Sequence, residues 1–235
     1  MLRASRQPNG GPEVFYSLQG EGPSTGTPSV FLRLANCNLA CVWCDTKYTW
    51  DWAQFDRDRE VVVLDTGQVE ERILEFDCRR LVITGGEPLL QQRELVPLLA
   101  SLKARGYQFE VETNGTIVPE PGLVEIIDQW NVSPKLGNSG TPRERRELPQ
   151  VLEAFCGLPT AYFKFIIGEP ADVGEVCSLR DRHGLPSRRI VLMPEGQTPE
   201  AIHCRSRWLS EACVKEGFRF STRLHILLWG DERGR

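Results

Sequence analysis

The sequence predicts an α/β fold: an open, partial (β/α) barrel of about six parallel strands. Three observations predict it. Short β-branched runs alternate with longer segments of helical spacing, the signature of parallel strands with helices packed outside. The runs number six, where a closed (β/α) barrel needs eight. Each run also empties into small or polar residues, as strands do at the rim where parallel α/β folds build their sites.

In chain order, 1–12 is a polar lead-in with Gly and Pro, and Glu13–Ser17 is a short strand. Val30–Ala35 is the first barrel strand. An aromatic and acidic insertion near 47–65 follows, centred on Tyr48–Asp58. Helical spacing over Thr66–Phe76 leads to the strand Leu81–Thr84, and that over Arg93–Arg105 to Gln108–Glu112. Gly122–Gln129 precedes Trp130–Ser133, Leu148–Cys156 precedes Tyr162–Ile167, and Ala171–His183 precedes Arg189–Met193. Thr198–Glu216 is the last long helix, and the apolar run Arg223–Trp229 closes the chain as a further strand. The mixed-sign stretch Arg143–Glu147 is a solvated loop or helix start. Nothing marks a second domain, so 1–235 is one domain.

Composition limits the function. Hydrophobic residues make up 40%, enough for a core. Lys plus Arg is 28 against 32 for Asp plus Glu, a net charge of −4 that argues against nucleic-acid binding. No signal peptide is visible, and no apolar run approaches the length of a bilayer span. A cytoplasmic protein is expected. Five of the eight cysteines (Cys78, Cys156, Cys177, Cys204 and Cys213) are scattered, and in a reducing compartment they read as small hydrophobes or idle thiols.

The other three are not scattered. Cys37, Cys41 and Cys44 form Cys-x3-Cys-x2-Cys in the first rim loop. A structural zinc site takes four protein ligands, and Cys78, His183, His203 and Cys204 stand at no zinc-knuckle spacing. Three unligated thiols are a second bland reading. Three thiolates suit a [4Fe–4S] cluster that keeps one iron open to a further ligand.

The cysteine loop, with Trp43 before its third cysteine and Thr84-Gly85-Gly86-Glu87-Pro88 after the second strand, resembles the radical S-adenosylmethionine (SAM) superfamily. Taken alone, the Gly-Gly turn would be an ordinary turn before a helix. Leu18-Gln19-Gly20-Glu21-Gly22, Arg33, Asp45-Thr46, Ser133-Pro134-Lys135 and Met193-Pro194-Glu195-Gly196 together resemble the 7-carboxy-7-deazaguanine synthases. That resemblance runs from about Glu13 to the C-terminus. It implies conversion of 6-carboxy-5,6,7,8-tetrahydropterin to 7-carboxy-7-deazaguanine with release of ammonia, a step toward queuosine and related deazapurines. It also implies a homodimer, Mg²⁺, and an external electron donor such as flavodoxin or ferredoxin.

Carried over by position, the resemblance gives the cluster to Cys37, Cys41 and Cys44. It gives the SAM contacts to Trp43, Asp45, Gly86, Ser133, Pro134, Lys135, Met193, Pro194, Glu195 and Gly196. Leu18, Gln19, Gly20 and Thr84 would touch the pterin, Arg33 would pair with its carboxylate, and Thr46 would offer a hydroxyl to Mg²⁺. Without the family, Arg33 is a charge on a half-exposed strand and Thr46 a turn residue. Glu21 and Glu112 could bind substrate or cofactor, and Glu112 could equally be a solvated carboxylate. His225 would line the pocket or sit as a satisfied core histidine. The charged tail Trp229–Arg235 departs from the family pattern. Two other functions stay open: a glycyl-radical activating enzyme, argued against by Leu18–Gly22 and the aromatic excursion, and a non-catalytic zinc-clip module.

Overall fold

The computed structural model describes residues 1–234. One ten-stranded sheet organises them, in the order β10-β9-β8-β7-β6-β5-β3-β1-β4, with β2 paired beside β3. The strands are β1 (Leu2–Ser5), β2 (Val14–Leu18), β3 (Pro28–Leu34), β4 (Val61–Leu64), β5 (Arg80–Gly85), β6 (Gln108–Thr113), β7 (Gln129–Val132), β8 (Ala161–Ile167), β9 (Ile190–Pro194) and β10 (Arg219–Phe220). β3, β5, β6, β7, β8 and β9 are the six expected strands, and each neighbouring pair among them is parallel. The order ends at β4 and β10 without returning on itself, so the barrel is open.

The helices are α1 (Arg57–Glu60), α2 (Thr66–Leu74), α3 (Gln92–Ala104), α4 (Pro121–Ile126), α5 (Arg143–Arg146), α6 (Pro149–Cys156), α7 (Pro170–His183), α8 (Pro199–Glu216) and α9 (Leu224–Trp229). Local chemistry sets their ends. Asp65 and Gln68 close a capping box at α2, Thr198 caps α8, and left-handed Gly184 and Gly217 end α7 and α8.

One expectation is corrected and two gain detail. Arg223–Trp229 is not a strand: 224–229 forms α9, which buries Ile226 and leaves Leu227 and Leu228 exposed. A seven-residue run broken only by Arg223 and His225 is too short for its period to decide strand from helix, and two-residue β10 occupies the edge beside β9 instead. The lead-in contains a strand, β1, which buries Leu2 and Ala4 and pairs antiparallel with β3 and β4. The insertion contains α1 and the β-branched strand β4. The stretch Arg143–Glu147 contains the single turn α5, and its Arg146 is buried against Glu175 at 2.7 Å.

Alternation along the strands decides where the site can form. One face of the sheet carries Leu32, Ile83, Val111, Val132, Phe163 and Leu192 into the main core, with Leu95, Leu99 and Leu102 of α3 among its partners. The inner face starts apolar with Phe31 and Val82 and then turns polar: Arg33, Thr84, Glu110, Glu112, Asn131 and Lys164. A barrel filled for stability alone would carry branched apolar side chains there.

Candidate active site

The cysteine loop leaves β3 through Asn36, whose φ of 73° is the one positive value outside glycine among the described residues. Its path is fixed by the glycine turn after β5. Gly86 N–H donates to Leu34 O at 2.9 Å, and Glu87 N–H donates to Asn36 O at 2.8 Å. A Cβ on Gly86 would lie 2.0 Å from Asn36 O, and one on Gly85 would lie 2.1 Å from Leu34 O. These glycines therefore admit the cysteine loop's own backbone, a packing reason that spacing could not show. Fully buried Glu87 then joins the rim loops, accepting from Asn114 N–H at 2.7 Å and Thr113 Oγ1 at 2.8 Å, and burial pushes its carboxyl up.

The three thiols suit the ligation of iron. Trp50 Nε1 donates to Cys44 Sγ at 3.3 Å and Leu39 N–H donates to Cys37 Sγ at 3.5 Å, the kind of N–H contact that tunes iron-bound thiolates. Burial pushes the free Cys37 thiol up to about 11 and raises Cys41 too, while the Lys135 ammonium opposes both. A cation that replaces the protons would reverse that cost. Among the described residues no group of three or more His, Cys, Asp or Glu side chains gathers around a single ion. A cubane differs, presenting a separate iron to each thiolate. Cys78 faces Pro28 O and Arg80 O at the opposite end of β5, and His183 is held by Glu147, so neither completes a zinc set.

Beside the loop lies a cavity of about 400 Å³. It brings together every residue to which the resemblance gave a site role except Pro134 and Pro194, whose neighbours Ser133, Lys135, Met193, Glu195 and Gly196 do line it. Lys135 Nζ sits 5.3 Å over the Trp43 ring and donates to Ser133 Oγ at 3.1 Å. The Thr46 side chain caps nothing, and its Oγ1 lies 3.6 Å from Cys44 Sγ.

Arg33 is not a charge pointing into solvent. Its Nε donates to Glu13 at 2.8 Å, and its two terminal nitrogens have no hydrogen-bond partner among the described residues. Fully buried Glu13 also accepts from Tyr48 Oη at 3.1 Å and from Arg233 Nε at 3.2 Å. Arg233 lies 3.6 Å over the Tyr48 ring and pairs with Glu60 at 2.9 Å. Residues 230–234 of the charged tail thus form part of the cavity lining.

A second charged group occupies the β6–β8 wall. Lys164 Nζ donates to Glu21 at 2.6 Å and to Glu112 at 2.7 Å, and Arg223 donates to Glu21 at 3.1 Å, to Asp45, and to Gly196 O at 2.6 Å. Glu112 is therefore not a solvated carboxylate. Asp45 meets Arg223 through its side chain. His225, on a helix rather than a strand, packs where a Cβ on Gly20 would lie 2.1 Å from its Nδ1, so Gly20 is required by contact. Burial pulls His225 below its usual range.

The sequence reading missed Glu13, Tyr48, Lys164, Arg223 and Arg233. Only Lys164 carried a local signal, as a lone ammonium inside the apolar strand β8.

The sequence model of the Radical SAM superfamily matches residues 33–134. A 7-carboxy-7-deazaguanine synthase of Pyrobaculum aerophilum is 40% identical over 95% of this chain and 96% of its own length. One of Hyperthermus butylicus is 37% identical over 92% of this chain and 91% of its own. The crystal structure of QueE from Escherichia coli superposes with a TM-score of 0.70 at 28% identity, covering 95% of both chains.

Proposed function

The chain belongs to the 7-carboxy-7-deazaguanine synthase family, a radical SAM family, and from that premise we propose that it converts 6-carboxy-5,6,7,8-tetrahydropterin to 7-carboxy-7-deazaguanine and ammonia. Membership displaces the activating-enzyme and zinc-clip alternatives. Cys37, Cys41 and Cys44 would hold the [4Fe–4S] cluster, with SAM on its open iron. When bound, this pair supplies removal and return of a hydrogen atom at carbon 6 of the pterin.

The chain's residues supply position. Arg33, oriented by Glu13, turns its free fork toward the substrate carboxylate, where a planar bidentate contact is strongest. Leu18, Gln19, Gly20 and Thr84 line the pterin's side of the cavity. Trp43, Lys135, Met193, Glu195 and Gly196, which also line the cavity, would take SAM. Thr46, with a hydroxyl unused as a cap, would serve Mg²⁺ beside the carboxylate. The tail at 230–234 excludes water and quenchers.

The observation that carries this reading is the convergence of the cysteine loop, the Gly85–Gly86 turn and the Arg33 fork on one cavity. A single core domain over 1–235, a homodimer, an external flavodoxin- or ferredoxin-type donor and a cytoplasmic setting complete the proposal. One continuous sheet supports the first of these. No described helix is long and apolar enough to cross a membrane. The test is anaerobic incubation of reconstituted protein with the carboxylated tetrahydropterin, SAM, Mg²⁺ and dithionite. Deazaguanine product is expected; its absence overturns the reading.

A further inference from the structure

Lys164 is the cation at the centre of the β6–β8 wall, and nothing in the radical chemistry calls for it. Its side chain is 4% exposed, and its ammonium is shared by two carboxylates from distant parts of the chain. Glu21 comes from the loop after β2, and Glu112 from the rim end of β6. Asn131 on β7 completes the wall, donating from Nδ2 to Glu112 at 2.8 Å and to buried Glu110 at 2.6 Å. Three carboxylates thus crowd together, and Glu110 already has Arg80 as its counter-ion. Glu21 and Glu112 both face the cavity, and Lys164 is their common partner.

The chemistry of the substrate class explains such an arrangement. A reduced pterin offers N–H donors along its amino-oxo-pyrimidine edge and on its saturated ring, and one carboxylate at the other end. An ionised carboxylate only accepts hydrogen bonds; once protonated it also donates, and a donor facing donors is repulsive. Arg33 on β3 stands two strands from Glu112, about 10 Å at ordinary strand spacing, so cationic and anionic ends of the cavity are separated by roughly the length of a bicyclic ring.

We propose that Lys164 is a positioning residue for the pterin: its ammonium holds Glu21 and Glu112 side by side as an acceptor pair for the ring's N–H edge. The assignment rests on the pterin reading above and adds a residue to it. Burial pushes both carboxyls up. At Glu21, Lys164 and Arg223 more than reverse the rise. At Glu112, Lys164 opposes burial, but the Glu110 and Glu21 charges leave it raised. The groups facing the pair are therefore Lys164, Arg223, His225, Glu110 and Asp45. Removing the ammonium forces a proton onto the pair, and Glu112 takes it.

The test is equilibrium binding of 6-carboxytetrahydropterin to reconstituted, SAM-loaded protein across the neutral pH range. Lys164→Met is expected to weaken binding about tenfold or more at neutral pH, the scale of a lost charged hydrogen bond. Its acid limb should move up by about one pH unit or more, because the carboxyls lose their counter-ion. Lys164→Arg should restore most of the affinity. The pair Lys164→Met with Glu112→Gln should bring the limb back, since the carboxyl that gained the proton is gone. Wild-type affinity and limb in Lys164→Met overturn the assignment, and so does a uniform loss with no displacement of the limb, which marks a merely structural lysine. Where Lys164→Met does not fold, a Lys164→Arg variant with unrestored affinity and a shifted limb also overturns it. Wild-type protein that forms no product and binds no pterin overturns the functional reading itself.

Discussion

Gly86→Ala tests whether the glycine turn exists to seat the cysteine loop. The new Cβ would lie 2.0 Å from Asn36 O and 3.1 Å from Cys37 N. Ordinary contact is about 3.5 Å, so one segment must move by roughly 1.5 Å. The backbone of β5 is pinned in the sheet, so the movement falls on Asn36–Cys37. Two hydrogen bonds then stretch, Gly86 N–H to Leu34 O and Glu87 N–H to Asn36 O. Each costs about 1–3 kcal/mol if left unmet, so the variant should lose about 2–6 kcal/mol. For a chain of this size that is a fall in thermal midpoint on the order of 10 °C. Iron and sulfide per chain after anaerobic reconstitution should drop below half of wild type. Gly174→Ala is the control: it sits within α7 with nothing within 4 Å, so alanine should hold or slightly raise the midpoint. Full iron content and a control-like midpoint in Gly86→Ala would refute the reasoning.

Other perturbations reach different parts of the molecule. Arg233→Ala removes the tail's stacking on Tyr48 and its bonds to Glu13 and Glu60, so KM for the pterin should rise about tenfold. The ratio of 5′-deoxyadenosine to deazaguanine should rise with it, as measured by chromatography; an unchanged ratio shows that the tail does not cover the site. At Glu147, burial raises the carboxyl, but hydrogen bonds from Arg143, His183 and Arg182 outweigh it and hold the group at about 2. A depressed carboxyl stabilises the fold above its unfolded value and loses that contribution as pH falls through the folded one. Stability should therefore decline between roughly pH 4.5 and 2, by on the order of 1–2 kcal/mol after solvent screening around the half-exposed arginines. In Glu147→Gln, denaturant titrations over that window should show a shallower decline. An equally steep decline in the variant rules out this carboxylate as its source.

The barrel was readable because its strands are buried on both faces, so β5, β8 and β9 appear as compact β-branched runs. The cysteine loop and the polar strand ends were readable because rim chemistry follows directly on those runs. β1 and β4 escaped because four-residue strands carry almost no periodic signal. Arg223 was hidden inside an apolar run that could be strand or helix. Glu13 and Tyr48 needed the third dimension: their importance comes from Arg233, 220 residues from Glu13. Lys164 was missed because only the register puts it on the face shared by Glu112 and Asn131, two residues beyond Tyr162, the partner of Asn131.

The charged inner wall bears on temperature. Beside the apolar Phe15, Phe31, Val82, Ile166 and Met193, the wall carries the pairs Arg33–Glu13, Arg80–Glu110, Arg223–Asp45 and those of Lys164. Hydration of charged groups becomes less favourable on heating, so keeping these pairs out of water costs less in a hot cell than in a cold one. Apolar burial gains no comparable advantage. The cavity should hold its shape best toward the upper end of the chain's working range, and cooling should loosen the wall of the pocket before it loosens the helices behind it.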